Sequence, residues 1–507
     1  MDCYHLNRRN FLGLSAGFVA GLEVVPPSAV LAAAGDGGYP EAWDPNRPMV
    51  LTGKALRVQP VLMYTTAQRR EQRSWKSWGG VQSDEGAAEE AGRITEELAA
   101  LAAEAGFPLE ILPVVKVKSV EEAERAQQGD AVMLVYPATG SGRVLEACFS
   151  KSGDTLVFVR HRSGPVYYWY EALSVRYLGT GDEVAAEPKP VSVDDVVVDD
   201  YQELQWRLRA LYAVRNFQGA RIVALGGPWG KYDARAPARA REQFGIEIVS
   251  VSYADVAPRI ERAFADSGLM KRAEQWTAMY LAASNVTLET ERSFVVNAFV
   301  LYAVFKDLMR EHSASAFTIK DCMGTIIPMS KTTACLTLSL INDEGLMAFC
   351  ESDFVIIPAG ILLHYIAGKP VFLHNSTFPH NEIVTCAHCT GPRRMDGVRY
   401  EPTRLLTHYE SDYGAAPKVE MPKGQEVTFI DPEYATGRWV GFKGTVEDNP
   451  FYAICRSQQD VRIEGNWKKL IREVRDSHWV MAYGDHLREL AYAARKVGVQ
   501  WEDLSRA

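Results

Sequence analysis

The sequence predicts an α/β protein: two Rossmann-like parallel-sheet domains followed by a C-terminal α+β domain. Its 507 residues are too many for one ordinary hydrophobic core, so we expect two to four domains. Up to residue 350, apolar segments typical of buried strands alternate with amphipathic helical segments, and this order favours parallel sheets flanked by helices. After residue 350 a helical run leads into a series of strand-like segments.

The N-terminus resembles an export signal. Arg8-Arg9 precede a moderately apolar stretch, Phe11 to Val25, and small residues follow at Ala32 to Ala34. This order is typical of a twin-arginine (Tat) signal peptide, so we expect residues 1–34 to be removed and the folded chain to be periplasmic or otherwise extracytoplasmic. No later apolar run reaches the ~18 residues of a membrane helix, and we expect no membrane span in the mature chain.

The first domain is predicted at residues 35–195. Leu56 to Tyr64 is a strand, and Glu89 to Gly106 is a helix with an apolar stripe that ends at a glycine. Strands at 109–117 and 130–138, with a short helix between them, continue a βαβαβ pattern. The acidic, proline-containing segment Asp182 to Asp200 marks the boundary with the next domain.

The second domain is predicted at 196–350 and the third at 351–507. A helix from residue 201 leads to the strand Ala220 to Gly227, which is followed by LGGPWGKYDAR. This segment matches neither G-x-G-x-x-G nor GK[ST], so it is interpreted as a tight turn, although ligands bind at such strand ends in open α/β sheets. In the third domain, strands at 369–375, 382–389 and 424–430 precede a final helix.

Charge and cysteine content narrow the functional classes. The net charge of −9 comes without a basic run, so nucleic acid is not expected as a partner. Eight cysteines would permit disulfides in an exported protein. Cys386 and Cys389 form the C-x-x-C motif, but no second such pair completes a zinc site, which favours a strand end or turn with two thiols over a metal or redox role.

The segment FCESDF places two carboxylates, Glu351 and Asp353, in a strongly apolar neighbourhood. Asp353 precedes the helical run and could be a helix N-cap, but a cap does not explain Glu351. Two close carboxylates in an apolar setting must ionise against each other or share a cation, and a divalent cation with oxygen ligands would resolve this conflict. His478, which begins the strand HWVMAYGD, is either a structural histidine or a further ligand.

Four ordered segments carry a resemblance to a known family. They are CLTLSLINDEGLMAFCESD, GKPVFLHN followed by EIVTCAHCTGP, THYESDYGAAPKVEMPKGQEVTF, and HWVMAYGDHLRELAYAARKVG. Together they resemble the C-terminal part of the L-fucose/L-arabinose isomerase superfamily, over residues 315–500. The first half of the chain is similar to this family only in its architecture.

The resemblance implies a C-terminal domain with β-barrel character and a Mn²⁺-dependent interconversion of aldose and ketose through an enediol. It implies Asp353 and His478 as metal ligands and Asp353 as a catalytic carboxylate, and Glu351 is the candidate for the second catalytic carboxylate. His388, Asp321 and Glu410 are the expected residues that bind the substrate, a small sugar or sugar derivative. A homo-oligomer, trimer or hexamer, is expected by analogy.

One expected carboxylate is missing. The family has a glutamate in a segment resembling I-K-x-x-P-E, whereas here Pro328 is followed by Met329 and Asp321 is the only acid nearby. Three alternatives stay open: Glu351 or Asp321 takes over, the chemistry differs at the same metal site, or the protein binds carbohydrate without catalysis. A periplasmic binding-protein-type module is a further, unrelated alternative, which the strand-rich C-terminal segment disfavours.

Overall fold

The structure is a computed structural model that describes residues 43–173, 177–178, 191–433, 436–473 and 476–505. The predicted export signal, residues 1–34, lies outside the described residues, as does part of the predicted boundary segment, residues 182–190. The described chain is a mixed α/β protein with two parallel sheets and a closed antiparallel barrel.

The first parallel sheet has the strand order β2-β1-β4-β5-β6, and β3 pairs with the far end of β1. Its elements are β1 (Leu56–Met63), α1 (Asp84–Glu104), β2 (Leu109–Ile111), β3 (Val115–Val117), α2 (Val120–Arg125), β4 (Val132–Pro137), α3 (Gly142–Cys148), β5 (Thr155–Val159), α4 (Trp169–Ala172) and β6 (Val196–Val198). The central strands are wholly buried, as expected for a parallel sheet covered on both faces. The single strand predicted at 109–117 is two strands, because Pro113 has no N–H for the ladder.

The second parallel sheet has the order β11-β10-β7-β8. The elements of this region are α5 (Tyr201–Phe217), β7 (Arg221–Leu225), α6 (Ala236–Phe244), β8 (Glu247–Val251), α7 (Tyr253–Ala265), α8 (Ser267–Leu281), β9 (Val286–Leu288), α9 (Arg292–Glu311), β10 (Ala316–Ile319), α10 (Cys322–Ser330), α11 (Cys335–Asp343) and β11 (Met347–Cys350). Parallel strands end at one edge, so the loops after β7, β10 and β11 meet there.

The C-terminal region forms a barrel. Its elements are α12 (Ile357–Ala367), β12 (Phe372–Ser376), β13 (Ile383–His388), β14 (Thr403–Leu406), β15 (Ala416–Val419), β16 (Glu426–Pro432), β17 (Trp439–Asp448), β18 (Ser457–Ile463), α13 (Trp467–Glu473), β19 (His478–Tyr483), α14 (Leu487–Lys496) and β20 (Trp501–Asp503). Six antiparallel strands close in the order β16-β19-β12-β13-β18-β17, because β17 also pairs with β16. Stacked Phe429 and Phe442 and the buried Trp479 fill its interior.

Two pairings outside the main sheets help to fix this part of the fold. Strand β14 pairs with β15 and also, in parallel, with β9 from the preceding region. An isolated bridge joins Trp229, after β7, to Asp353, after β11. Glu351, which follows β11, lies 3.6 Å from His388 and 3.3 Å from His478, so this edge of the second sheet lies against the barrel end that carries the two histidines.

In the described part of the chain, no helix combines the length and the apolar character that a membrane crossing requires.

Candidate metal centre

Glu351 stands where β11 ends, on a backbone that turns sharply. Glu351 and Ser352 both adopt the left-handed conformation, with φ of 65° and 51°, which non-glycine residues rarely do. The turn is held by the indole N–H of Trp229, which donates to the Glu351 carbonyl, and by the Ser352 N–H, which donates to Thr318 Oγ1 at 3.1 Å. Strained backbone conformations that are held in place by surrounding contacts are concentrated at functional sites.

Asp353 is completely buried and fully hydrogen-bonded. Its Oδ1 accepts the backbone N–H groups of Lys231 at 2.9 Å and Val355 at 3.1 Å, and its Oδ2 lies 2.7 Å from His478 Nδ1. The regular helix begins at Ile357, and Asp353 caps the turn that leads into it, because the Val355 N–H donates to its Oδ1 and the Ile357 N–H donates to its carbonyl at 3.1 Å. The same carboxylate also connects three segments of the chain, which a cap alone does not explain.

His478 is held between two carboxylates. Asp353 binds Nδ1, while Nε2 lies 3.3 Å from Glu351 Oε2 and 3.4 Å from Lys231 Nζ. Burial opposes protonation of the imidazole, but the hydrogen bonds with Asp353 and Glu351 outweigh it and raise the pKa of His478 to about 9. Burial alone would raise the pKa of Glu351, yet the neighbouring imidazoles of His388 and His478 lower that pKa below the ordinary value.

His388 approaches the same carboxylate from the end of β13. Its Nδ1 lies 3.0 Å from Thr390 Oγ1, and its Nε2 lies 3.6 Å from Glu351 Oε1. Among the described residues, this buried Nε2 has no hydrogen-bond partner. One ligand atom each from Glu351, His388 and His478 lie within 4.8 Å of one another, close enough to bind a single metal ion.

A second set of three groups shares His478. Asp353, Asp476 and His478 also bring one ligand atom each within 4.8 Å. Asp476 Oδ1 accepts the backbone N–H groups of Ser477 at 2.6 Å and His478 at 3.1 Å, and burial raises its pKa to about 6. This set uses the His478 nitrogen that Asp353 already binds, whereas the first set uses the nitrogen that faces Glu351.

A cavity of about 580 Å³ opens beside this cluster. Four of the residues predicted from the sequence line it: Asp321, Glu351, His388 and Glu410. Asp353 and His478 are completely buried, and His478 contacts Glu351, whose side chain is 40% exposed. The fold thus brings the six predicted residues together: four line one cavity, and Asp353 and His478 lie buried beside it.

The position at which the resemblance predicts a glutamate lies in a helix. Met329 belongs to α10 and packs on the core of the second sheet, so this segment supplies no carboxylate there. Asp321 precedes the same helix in a left-handed conformation, and its largely exposed side chain lies 3.7 Å from Lys320 Nζ.

Sequence reasoning missed Trp229, Lys231 and Asp476. The first two belong to LGGPWGKYDAR, which was interpreted as a turn. Its position after a parallel strand was the available signal, because ligands bind at such strand ends. Asp476 has no sequence signal, since an aspartate two residues before a strand is common in loops.

Neither protein-family models nor curated proteins provide a match for this chain. Its function therefore rests on the geometry of the site.

Proposed function

We propose that the protein binds a divalent transition-metal ion through Glu351, His388 and His478 and isomerises a small sugar or sugar derivative beside it. The observation that carries the proposal is the convergence of these three ligand atoms at a cavity large enough for a sugar. The left-handed backbone at Glu351 points the same way, because it holds the carboxylate against both histidines.

Asp353 is assigned a positioning role in this proposal. Both of its oxygens already accept hydrogen bonds, and Oδ2 binds His478 Nδ1. Carboxylates that bind the distal nitrogen of a ligating histidine fix the ring orientation and raise the basicity of the other nitrogen. Asp353 therefore orients His478 Nε2 towards Glu351, and its role as a direct ligand is the less favoured alternative.

The donor set fits the metal that the resemblance implies. His388 Nε2 is buried, lacks a partner among the described residues and faces Glu351. An ion would satisfy this nitrogen, since a buried polar atom without a partner is costly. Two imidazoles with one carboxylate suit Mn²⁺, Fe²⁺ or Zn²⁺ better than Ca²⁺ or Mg²⁺, and Mn²⁺ is the ion expected from the isomerase superfamily.

The chain's own groups can carry out the proton transfer. Isomerisation removes a proton from C2 of the aldose, returns it to C1 and moves a proton between the two oxygens. Glu351 lines the cavity, and the carboxylate oxygen that does not bind the ion would take the C2 proton and return it to C1. The Lys231 ammonium, 3.4 Å from His478 Nε2, would stabilise the developing charge on oxygen. The metal, when bound, would polarise the sugar oxygens.

The test combines metal analysis with isotope exchange. The purified mature protein is analysed for bound metal and then incubated with a panel of aldoses and ketoses in D₂O, while deuterium at C2 of the aldose is followed by NMR. We expect one metal ion per chain, exchange with at least one sugar, and no exchange in Glu351→Gln. Absence of a bound metal from protein loaded with Mn²⁺, Fe²⁺ or Zn²⁺ would refute the proposed centre.

A non-catalytic carbohydrate-binding protein on the same scaffold is the second candidate. Met329 favours this alternative. It stands where the resemblance predicts the second carboxylate of the isomerase superfamily, and in this chain that segment is a helix without an acid. This alternative predicts thermal stabilisation by a sugar without deuterium exchange. Export by the Tat route and assembly into a trimer or hexamer stay predictions for either function.

A further inference from the structure

Three large aromatic side chains are exposed at the edge of the cavity beside the proposed centre. Tyr409 is 37% exposed, Phe451 49% and Tyr452 54%. Tyr409 stands between His408 and Glu410, and both of these neighbours line the cavity. Single exposed apolar residues are ordinary on a protein surface, whereas a group of them bordered by polar residues marks a binding surface.

The Arg456 guanidinium connects the two segments that carry these rings. Its carbon Cζ lies 5.3 Å from the centre of the Tyr409 ring and 6.0 Å from the centre of the Phe451 ring, within the range of a cation–π contact. Its Nε donates to the Thr407 carbonyl at 2.7 Å, and its Nη2 donates to Thr407 Oγ1 at 3.3 Å. Arg456 follows Cys455, which lines the cavity. Tyr409, Phe451 and Arg456 together are called the aromatic rim below.

Hydrogen bonds hold the backbone on both sides of the aromatic rim. Gln458 is completely buried, and its Oε1 accepts the Tyr452 N–H at 2.7 Å. Its Nε2 donates to the carbonyls of Tyr452 at 3.0 Å and Cys455 at 2.8 Å. In the other segment, the His408 N–H donates to the Tyr413 carbonyl at 2.9 Å. The exposed rings are therefore presented by an ordered backbone, which lowers the entropic cost of binding a ligand.

Arg456 also has a hydrogen-bond donor that the fold does not use. Among the described residues, its Nη1 has no hydrogen-bond partner and its half-buried guanidinium has no carboxylate partner. Arg404, whose Cζ lies 4.8 Å from the centre of the Phe451 ring, is instead paired with Glu289 through hydrogen bonds of 2.6 and 2.7 Å. Arg456 is thus the rim cation that keeps a donor for a ligand.

We propose that the aromatic rim binds a second sugar ring, so that the substrate is a reducing di- or oligosaccharide. The face of an aromatic ring carries partial negative charge, and the C–H groups on one face of a pyranose ring carry partial positive charge, so the two rings stack. Arg456 Nη1 would donate to an oxygen of the stacked unit. The inference rests on the proposed function, because the reducing unit would occupy the cavity beside Glu351.

The proposed reaction determines which end of the substrate enters the cavity. Isomerisation through an enediol needs a free aldehyde at C1 and a free hydroxyl at C2 of the reducing unit. The second unit must therefore be attached through a carbon farther along the reducing unit, and this end extends towards the aromatic rim. The rim itself forms and breaks no bond.

The experiment compares the affinities of paired probes by isothermal titration of the full-length mature protein in the presence of Mn²⁺. The probes are glucose, xylose and mannose and the disaccharides that carry each of them at the reducing end, which are cellobiose, xylobiose and mannobiose. We expect at least one disaccharide to bind about 10-fold more tightly than its own monosaccharide, because the second ring adds stacking and apolar burial.

Substitutions in the aromatic rim test the origin of this gain. Tyr409→Ala and Phe451→Ala should abolish it by weakening disaccharide binding, whereas Tyr409→Phe should keep it, since stacking needs the ring and not the hydroxyl. Tyr170→Ala is the matched control, because it removes another exposed tyrosine, one that stacks on His161 in the first parallel-sheet region. This control should keep the gain. Circular dichroism confirms that each variant is folded.

The possible outcomes separate this inference from the proposed function. If no disaccharide binds more tightly than its monosaccharide, or if Tyr409→Ala keeps the gain, the inference is overturned. It is also overturned if Tyr409→Ala changes only the oligomeric mass in sedimentation, since the rim would then be a contact between copies of the chain. A gain without deuterium exchange would refute the isomerase and support the subsite, whereas exchange of a monosaccharide without a gain would refute the subsite alone.

Discussion

The substitution Asp353→Asn separates the two possible metal sets, because it changes one proton acceptor while keeping the side-chain size. The asparagine oxygen can still accept the backbone N–H groups of Lys231 and Val355. Its amide nitrogen, however, is a donor, so His478 Nδ1 must become an acceptor. The imidazole proton then lies on Nε2, the atom that faces Glu351 and that the proposed metal needs as a ligand.

The magnitude follows from the geometry. The lost interaction is a buried, charge-assisted hydrogen bond of 2.7 Å, and hydrogen bonds to charged groups contribute about 1.5–3 kcal/mol to stability. For metal affinity, changing a residue that orients a ligating histidine costs about 10- to 100-fold. We therefore expect weakened but measurable binding in Asp353→Asn, and a much larger loss in Glu351→Gln, which removes the charge of a direct ligand.

The assay is isothermal titration of the metal-free protein with Mn²⁺, run in parallel on Asp353→Asn, Glu351→Gln and the matched control Asp476→Asn. Asp476 belongs to the alternative set and not to the proposed one, so its substitution should change Mn²⁺ affinity least. If binding disappears in Asp353→Asn and Asp476→Asn but survives in Glu351→Gln, the ion is bound by Asp353, Asp476 and His478, and the assignment of Asp353 as a positioning residue is refuted.

Three further predictions concern stability. Asp343 is buried and accepts the backbone N–H groups of Arg393 and Arg394, and burial raises its pKa to about 7. Its contribution to stability is therefore complete below its unfolded-state pKa and is lost as pH rises through 7. Asp343→Asn should remove this pH-dependent component from urea midpoints measured between pH 5 and 8, and a pH profile identical to that of the wild type would contradict the reasoning. Trp479→Ala should cost about 3–5 kcal/mol in urea unfolding, because it empties the barrel core, and a loss under about 1 kcal/mol would show that Trp479 is not a core residue. Gly345→Ala should lower the melting temperature, since its φ is 94° and a Cβ would collide with the Val50 carbonyl; an unchanged melting temperature would show that this turn can relax.

Local patterns were sufficient to predict most of the parallel-sheet regions. The continuous apolar strands at 56–63 and 132–137 and the amphipathic helix at 84–104 lie close to their predicted positions, because their burial depends on side-chain periodicity within one segment. The helix from residue 201 begins with Asp200 as a true N-cap, whose carboxylate accepts the N–H groups of Gln202 and Glu203. Such signals are short-range and can therefore be read from the chain.

What the local patterns did not predict depends on tertiary contacts. An aspartate before an apolar helix is a cap in many proteins, and Asp353 does cap the turn before its helix with Oδ1, but its other oxygen binds a histidine 125 positions later, which no local pattern predicts. The glycines of LGGPWGKYDAR predict its turn. They do not predict that this turn lies beside Asp353, because the pairing between the loops after β7 and β11 is a tertiary contact.

The sequence by itself determined the residue types available for chemistry: paired acids at Glu351 and Asp353, a histidine at the start of a late strand, and cysteines scattered among apolar segments. Only the tertiary structure decided their roles. The barrel strands place His388 and His478 beside the two oxygens of one carboxylate, and the fold packs Cys335, Cys389 and Cys455 from three distant segments together. The physical reason is that ligand sets depend on distances of a few ångströms between segments that are far apart along the chain, and local propensity carries no information about such distances.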